Sequence, residues 1–301
     1  MNYDVLVVGS GPAGLAAAVA ARGRDKSVLV VGNPWQESPL ARAERIDNYL
    51  GLPGVNGREL MEHFSAHAQR VGVEFHTGRV VAVMAWEGFA LTAGSEVFQG
   101  RTLVLAPGVA RLAKYPGEAE LLGRGVSYCA TCDGNFFRDK EVMVVGGGNT
   151  AAGDAIYLSR ICKKVYLVHR RNKLRATAIY HKRLEDLPNL EFVWNAVPRK
   201  LVADEGKLAG VRLEMLETGE ERDIAVDGLF VAVGTEPNTE FLGGALQCDE
   251  TGYIVADESC ATEVPGVFAA GDVRTKFLHQ VVTAVSDGAV CAEEAAEYLA
   301  I

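Results

Sequence analysis

The chain has 301 residues, 49% of them hydrophobic and 23% charged, enough to bury the cores of two domains. Its 30 basic residues stand against 39 acidic ones, a net charge of −9 that argues against a nucleic-acid binder. Six cysteines are too few for a secreted disulfide scaffold, and no apolar run reaches membrane-spanning length without a charge or breaker. The N-terminal Met-Asn-Tyr-Asp also lacks the basic region of a secretory leader, so we expect a soluble, cytoplasmic protein.

Residues 4–8, Asp-Val-Leu-Val-Val, predict a buried parallel strand. Gly9-Ser-Gly-Pro-Ala-Gly14 follows, then an alanine-rich helix over 15–22 and a second strand over 27–31. This is a βαβ unit. Residues 73–105 alternate in β fashion and lead into Thr102-Leu-Val-Leu-Ala106. The octapeptide 127–134 reads Ser-Tyr-Cys-Ala-Thr-Cys-Asp-Gly. The strand–loop–helix pattern then recurs: a strand over 141–145, the loop Gly146-Gly-Gly-Asn-Thr-Ala151, a helix over 151–161 and a strand over 165–168. The two halves form an internal repeat of one nucleotide-binding design. A β-rich excursion over 191–233 follows, then a short strand within 266–272 and a helix from about Thr283 to Leu299. We expect the last strand and helix to return to the first domain. The fold class is therefore α/β, with two Rossmann-like domains of three-layer ββα type, the second inserted in the first. The outer domain takes 1–112 and 245–301, the inner one 113–244. Pro116-Gly117 and Pro237-Asn238 supply breakers for hinges near 110–117 and 237–247.

Gly9-x-Gly11-x-x-Gly14 stands between a strand and a helix, where glycines permit a tight turn and close approach of a pyrophosphate to backbone. The bland alternative is a tight turn without ligand. The acidic residue that normally follows the second strand, to hold a ribose hydroxyl, is replaced by Val31-Gly32-Asn33; Glu37 is the nearest carboxylate. Gly146-x-Gly148-x-x-Ala151 is the second signature. After its next strand come His169, Arg170 and Arg171, with Arg175 a helical turn on and no carboxylate among them. Guanidinium groups hold phosphate bidentately, so the cluster suits the 2′-phosphate of NADPH rather than NADH, against the alternative of a solvated basic helix start. Cys129-Ala-Thr-Cys132 has the spacing of a redox disulfide. Zinc would need two further ligands at short spacing, and the next cysteine is Cys162, so no metal is expected. Asp133 serves as an acid–base group or as a turn former before Gly134. Gly271-Asp272 offers a second contact to the first cofactor, or a helix cap. A dithiol between two dinucleotide signatures points to an electron path from pyridine nucleotide to flavin to disulfide.

With these residues assembled, the chain resembles the low-molecular-weight, FAD-containing thioredoxin reductases of bacteria over nearly its whole length. The motifs that carry the likeness are Gly9-Ser-Gly-Pro-Ala-Gly14, the run from Gly123 through Cys129-Ala-Thr-Cys-Asp-Gly134, Gly146-Gly-Gly-Asn-Thr-Ala151, His169-Arg-Arg171 with Arg175, Gly234-Thr-Glu-Pro-Asn-Thr239 and Ala269-Ala-Gly-Asp272. The resemblance implies an NADPH-dependent flavoenzyme that reduces thioredoxin, or a thioredoxin-like protein, and works as a homodimer with a rotating nucleotide domain. It implies that Cys132 faces the flavin, that Cys129 attacks the partner's disulfide and that Asp133 moves the proton. FAD contacts would come from Gly9, Gly11, Pro12, Ala13, Gly14, Asn48, Gly271, Asp272, His279 and Gln280. NADPH contacts would come from Gly146, Gly148, Asn149, Thr150, Ala151, His169, Arg170, Arg171 and Arg175. There are departures. Glu37-Ser-Pro-Leu40 takes the place of the family's glycine-glycine-glutamine-leucine stretch, His279 stands for its arginine, Pro107 for its threonine and Gly153 for its glutamate. Residues 31–51 are more similar to the ferredoxin-linked flavin thioredoxin reductases, which leaves ferredoxin, or NADH, open as the donor.

Overall fold

The computed structural model describes residues 2–300 apart from 44, 86–87 and 111–113. The hinge expected near 110–117 lies partly outside the described residues. In chain order the elements begin with β1 (Asn2–Val8), α1 (Pro12–Arg22), β2 (Val28–Gly32), α2 (Gly57–Arg70), β3 (Glu74–Thr77), β4 (Val80–Ala85), β5 (Phe89–Ala93), β6 (Glu96–Leu105) and β7 (Val109–Ala110). Next come β8 (Val126–Ser127), α3 (Ala130–Asp133), β9 (Glu141–Val145), α4 (Asn149–Ser159), β10 (Lys164–His169), α5 (Ala178–Glu185), β11 (Leu190–Trp194), β12 (Ala196–Asp204), β13 (Lys207–Met215), β14 (Glu221–Ala225) and β15 (Gly228–Val231). β16 (Glu236–Pro237), β17 (Val267–Ala269) and α6 (Val281–Tyr298) complete the chain. The chain forms two compact units, Met1–Arg111 with Thr235–Ile301, and Leu112–Gly234.

In the first unit the parallel strands run in the order β3-β2-β1-β6-β17. β5 and β4 extend the sheet as an antiparallel meander from the first half of β6. Strand residues alternate between two buried faces, which is why β1 and β2 read as continuous apolar runs. Val5, Val7, Val28 and Val30 pack with α1 and α6 on one side. Leu6, Val8, Leu29 and Val31 pack on the other, with Leu91, Leu242 and Ile254. α1 and α6 meet at Gly288, where an added Cβ would stand 2.2 Å from the Ala13 carbonyl oxygen. α2 was not read from the sequence, although its start is legible: Asn56 Oδ1 accepts the Glu59 N–H at 2.8 Å, a side-chain cap three residues ahead of a glutamate.

β7 and β16 pair antiparallel, Ala110 with Glu236 and Val109 with Pro237, so the Pro237-Asn238 breaker sits in a small ribbon. Asn238 reinforces it by donating to the Gly108 and Pro107 carbonyls at 3.1 and 2.9 Å. The second seam between the units falls at Gly234/Thr235, earlier than the 244/245 boundary read from the sequence. The reason is apolar: Leu242 and Leu246 already belong to the first unit's core.

In the second unit the parallel order is β11-β10-β9-β15-β8. Met143, Val145, Tyr166 and Val168 face the antiparallel sheet β12-β13-β14, through Leu201, Val211, Leu213 and Ile224. Val142, Val144, Val165 and Leu167 face α4 and α5. Each strand thus buries both faces, one against helices and one against the β-rich excursion.

Gly288→Ala forces α6 off α1 against backbone rather than against a yielding side chain. We expect a loss of about 3 kcal/mol, read as a lowered urea midpoint at unchanged m-value; an unchanged midpoint would show that the helices separate without cost.

Candidate active site

The first glycine loop is crowded on two sides and open on a third. Gly9 turns the chain out of β1 at φ +107°, its N–H donating to the Val31 carbonyl at 2.8 Å. An added Cβ on Gly9 would meet the Ala106 carbonyl oxygen at 2.1 Å, and one on Gly14 would meet the Gly9 carbonyl oxygen at 1.9 Å. Gly11, the N-cap of α1, faces open space, with nothing within 4 Å of such a Cβ. No side chain caps this helix, and Pro12 occupies its first turn. A helix N-terminus opening on empty space through a glycine fits a pyrophosphate.

The other residues expected to contact flavin lie in the same unit. Asn48 Nδ2 donates to Gln280 Oε1 at 2.6 Å, which joins two predicted contacts far apart in sequence. Gln280 also caps α6 in a reciprocal box with Thr283. The His279 ring lies 5.8 Å from the Tyr253 ring. Gly271 (φ +78°) and Asp272 form the tight turn after β17, and the Gly271 N–H donates to Asp287 Oδ2 at 2.9 Å. A cavity of about 170 Å³ lies at the end of β2, lined by residues including Asn33, Trp35, Ser65, Gln69 and Thr77.

The second unit repeats the loop. An added Cβ on Gly146 (φ +152°) would meet the Ala232 carbonyl oxygen at 2.4 Å, whereas one on Gly148, the uncapped N-cap of α4, would meet nothing. The loop is tied to the basic segment. The Gly147 carbonyl accepts the Arg175 and Ala176 N–H groups at 2.6 and 3.0 Å, and Asn149 Oδ1 accepts the Thr177 N–H at 2.8 Å. Thr150 follows in the first turn of α4, and Ala151 is fully buried beneath it. Arg170, Arg171 and Arg175 are exposed. Among the described residues no carboxylate lies within ion-pair distance of any of them. His169 ends β10 beneath the loop, its ring filling the space beside Gly147. It is buried, and its Nε2 has no hydrogen-bond partner among the described residues. Burial, and then the charges of Arg175, Arg170 and Arg171, hold its pKa below the ordinary histidine value.

In the same unit Cys129 and Cys132 form a disulfide, with Cα atoms 5.3 Å apart. Cys129 is the N-cap of α3, and its Sγ accepts the Cys132 N–H at 3.2 Å. Asp133 Oδ2 accepts the Ser127 hydroxyl at 2.6 Å, and that hydroxyl oxygen accepts the Cys129 N–H at 3.0 Å. Ser127 therefore links the acid to the sulfur-bearing backbone, a role the sequence reading missed. It also missed Glu118, which is 1% exposed. Its carboxylate accepts the Lys114 and Tyr115 N–H groups at 2.9 and 3.0 Å and the Tyr128 hydroxyl at 2.5 Å, anchoring the residue before Cys129. Burial, with the Glu118 charge next, pushes the Tyr115 hydroxyl up to about 12.

A glycine-loop cradle in each unit and a disulfide with an adjacent acid are the parts of a pyridine nucleotide-disulphide oxidoreductase, and the profile of that family matches residues 3–288. A thioredoxin reductase of Bacillus subtilis is 38% identical over 299 residues, covering 99% of this chain and 95% of the relative. The crystal structure of thioredoxin reductase from Streptococcus pyogenes is 36% identical, with a TM-score of 0.93 over 99% of this chain and 98% of that one. A ferredoxin-flavin thioredoxin reductase from Clostridium acetobutylicum is 33% identical, with a TM-score of 0.54 over 99% and 98%. The chain belongs to the thioredoxin reductases. It is a flavoprotein disulfide reductase, and the cofactors of its family are FAD and NADPH.

The lowered pKa of His169 has a consequence for stability. The folded chain binds this proton less tightly than the unfolded one, so stability is fully present above the unfolded value of 6.5 and falls as pH drops below it. We expect the melting temperature of the native chain to fall more between pH 7.5 and 5.5 than that of His169→Gln. Equal falls would remove His169 as the group responsible.

Proposed function

We propose that the chain reduces thioredoxin with electrons from NADPH, passed through FAD and the Cys129–Cys132 disulfide. The observation that carries the NADPH reading is the cluster of Arg170, Arg171 and Arg175, exposed and without carboxylate partners among the described residues, hydrogen-bonded through Arg175 to the second glycine loop. Uncompensated guanidinium groups beside a dinucleotide cradle suit a 2′-phosphate. Gly146, Gly148, Asn149, Thr150, Ala151 and His169 complete that site. FAD is held by Gly9, Gly11, Pro12, Ala13 and Gly14 at one end, and by Asn48, Gly271, Asp272, His279 and Gln280 around it. When bound, the flavin relays two electrons from a nicotinamide hydride to the disulfide.

The protein's own residues set up the exchange. In the dithiol state the Cys132 N–H at 3.2 Å favours a thiolate on Cys129 Sγ, which makes Cys129 the attacking sulfur. Its attack on the partner disulfide forms a mixed disulfide and releases one partner thiolate, which takes a proton from Asp133. The Cys132 thiol then gives its proton to the Asp133 carboxylate and attacks Cys129 Sγ, which restores the Cys129–Cys132 bond and releases the second partner sulfur as a thiolate that takes up a proton. The Ser127 hydroxyl, 2.6 Å from Asp133, holds the carboxyl beside this segment. The same reading makes the enzyme a cytoplasmic homodimer. No helix of the described residues is long and apolar enough to cross a membrane.

A second reading keeps the fold and takes electrons from ferredoxin. It is favoured by the 33% identity to the ferredoxin-flavin enzyme and by the 31–51 segment. Anaerobic titration of the yellow protein separates the two. Stoichiometric bleaching of the flavin band by NADPH, and not by NADH, is expected. No bleaching by either, with dithionite still effective, would transfer the role of donor to ferredoxin.

Two variants sharpen the assignment. Arg170→Ala with Arg171→Ala removes about 1.5–3 kcal/mol of charge-assisted binding. It should raise KM for NADPH about tenfold to a hundredfold with little change in kcat or in KM for NADH; an unchanged KM would release the arginines from the site. Cys132→Ser should leave FAD bound and abolish disulfide turnover, and persistent turnover would show that another pair carries the electrons.

A further inference from the structure

One buried charged cluster in the first unit is left without a task by this mechanism. Asp287, on α6, is 7% exposed. Its Oδ2 accepts the Gly271 N–H at 2.9 Å, Arg274 Nε at 3.1 Å and Lys276 Nζ at 2.8 Å, while its Oδ1 accepts a second Arg274 N–H at 3.2 Å. The Arg274 and Lys276 side chains are themselves only 11% and 8% exposed. Burial alone would raise the Asp287 carboxyl, but hydrogen bonds from Arg274 and Lys276 outweigh it and hold the group below the usual carboxylate range. Arg274 is anchored further by donating to the Asp257 carbonyl at 3.0 Å. Two cations on one carboxylate leave a single positive charge out of water beneath Gly271.

Buried ion pairs contribute little to stability beyond what apolar side chains would give, and they are retained where they specify a geometry. The geometry here is the Gly271 turn, at a φ of +78° that glycine adopts freely but does not fix by itself, so the hydrogen bond from its N–H to Asp287 sets it. Gly288, next to Asp287, presses on the Ala13 carbonyl in the first turn of α1. Asp287 therefore stands where α6 touches both loops of the flavin cradle.

We propose that Asp287 is a positioning residue for the flavin: clamped by Arg274 and Lys276, it fixes the Gly271 N–H and so the turn that carries Asp272. This rests on the flavin reading of residues 9–14 and 271–272. Its role is indirect, through backbone, and the net positive charge of the cluster would also favour the more negative, reduced state of a flavin bound near the turn.

The test is reconstitution of the chain, stripped of FAD, with FAD added back. Affinity is read from quenching of flavin fluorescence, midpoint potential against a reference dye, and stability from thermal unfolding of the stripped chain. Asp287→Asn keeps an oxygen for the Gly271 N–H but leaves both cations uncompensated. It should bind FAD about tenfold more weakly, with a raised midpoint potential and a lowered melting temperature, because two buried cations lose their counter-charge. Adding Lys276→Gln returns the cluster to one net positive charge and should recover most of the affinity and the native potential. Native affinity and potential in Asp287→Asn would overturn the proposal. So would an affinity loss that tracks the melting temperature and is not recovered in the double variant. If Asp287→Asn fails to fold, Lys276→Gln alone decides: a lowered potential supports the proposal, an unchanged one overturns it. A native chain that takes up no FAD would instead refute the flavin reading itself.

Discussion

Backbone pressed against backbone at two strand–helix turns is the constraint on which this molecule depends. At Gly9 and Gly14, and again at Gly146, a single methyl group would stand about 2 Å from a carbonyl oxygen. The crowding draws each helix onto its sheet and sets its N-terminus at the carboxyl edge of the parallel strands, where α/β sheets bind nucleotides. The glycines that cap those helices, Gly11 and Gly148, face empty space instead. Crowding behind and room in front define a cradle, and they occur together because the same turn produces both.

The two cradles are then specialised by what surrounds them. In the second unit three arginines stand in solvent, without carboxylate partners among the described residues, beside a loop whose Gly147 carbonyl is paired with the Arg175 and Ala176 N–H groups. In the first unit the cations Arg274 and Lys276 are withdrawn from solvent and spent on Asp287. The exposed set is free of carboxylate partners among the described residues, while the buried set holds a turn. The redox segment follows a third pattern, in which a hydroxyl, a backbone N–H and a carboxylate within hydrogen-bond reach make one sulfur of a short loop differ from the other.

Much of this was legible in the sequence because it depends on local order. The βαβ units, the glycine loops, the cysteine pair and the arginines all lie within short windows whose periodicity and residue types carry the signal. What escaped depends on side-chain contacts that residue type and spacing do not announce, some within a short segment and some between distant ones. Ser127 looks like any strand serine until the fold sets it beside Asp133, and Asn48 meets Gln280 across most of the chain. The seam at Gly234/Thr235 was set too late because Leu242 and Leu246 follow a Pro-Asn breaker yet pack into the first core. α2 was missed although Asn56 and Glu59 announce it, since its apolar stripe of Leu60, Met61 and Ala68 is diluted by polar neighbours. Asp287 left a fainter mark, an acid on the same helical face as Ala284, Gly288 and Cys291, all buried.

The missing acid after β2 finds its reason in the same crowding. Gly32 stands within Val31-Gly32-Asn33, the stretch where the sequence lacks the expected carboxylate, and an added Cβ there would stand 2.9 Å from the Ser10 N–H nitrogen and 3.2 Å from the Gly9 Cα. A side chain at 32 would push the first glycine loop out of line, so glutamate cannot replace this glycine without moving the turn that shapes the cradle. Asn33, Ser65, Gln69 and Thr77 supply polar groups close by, lining a cavity beside Trp35 at that end of β2.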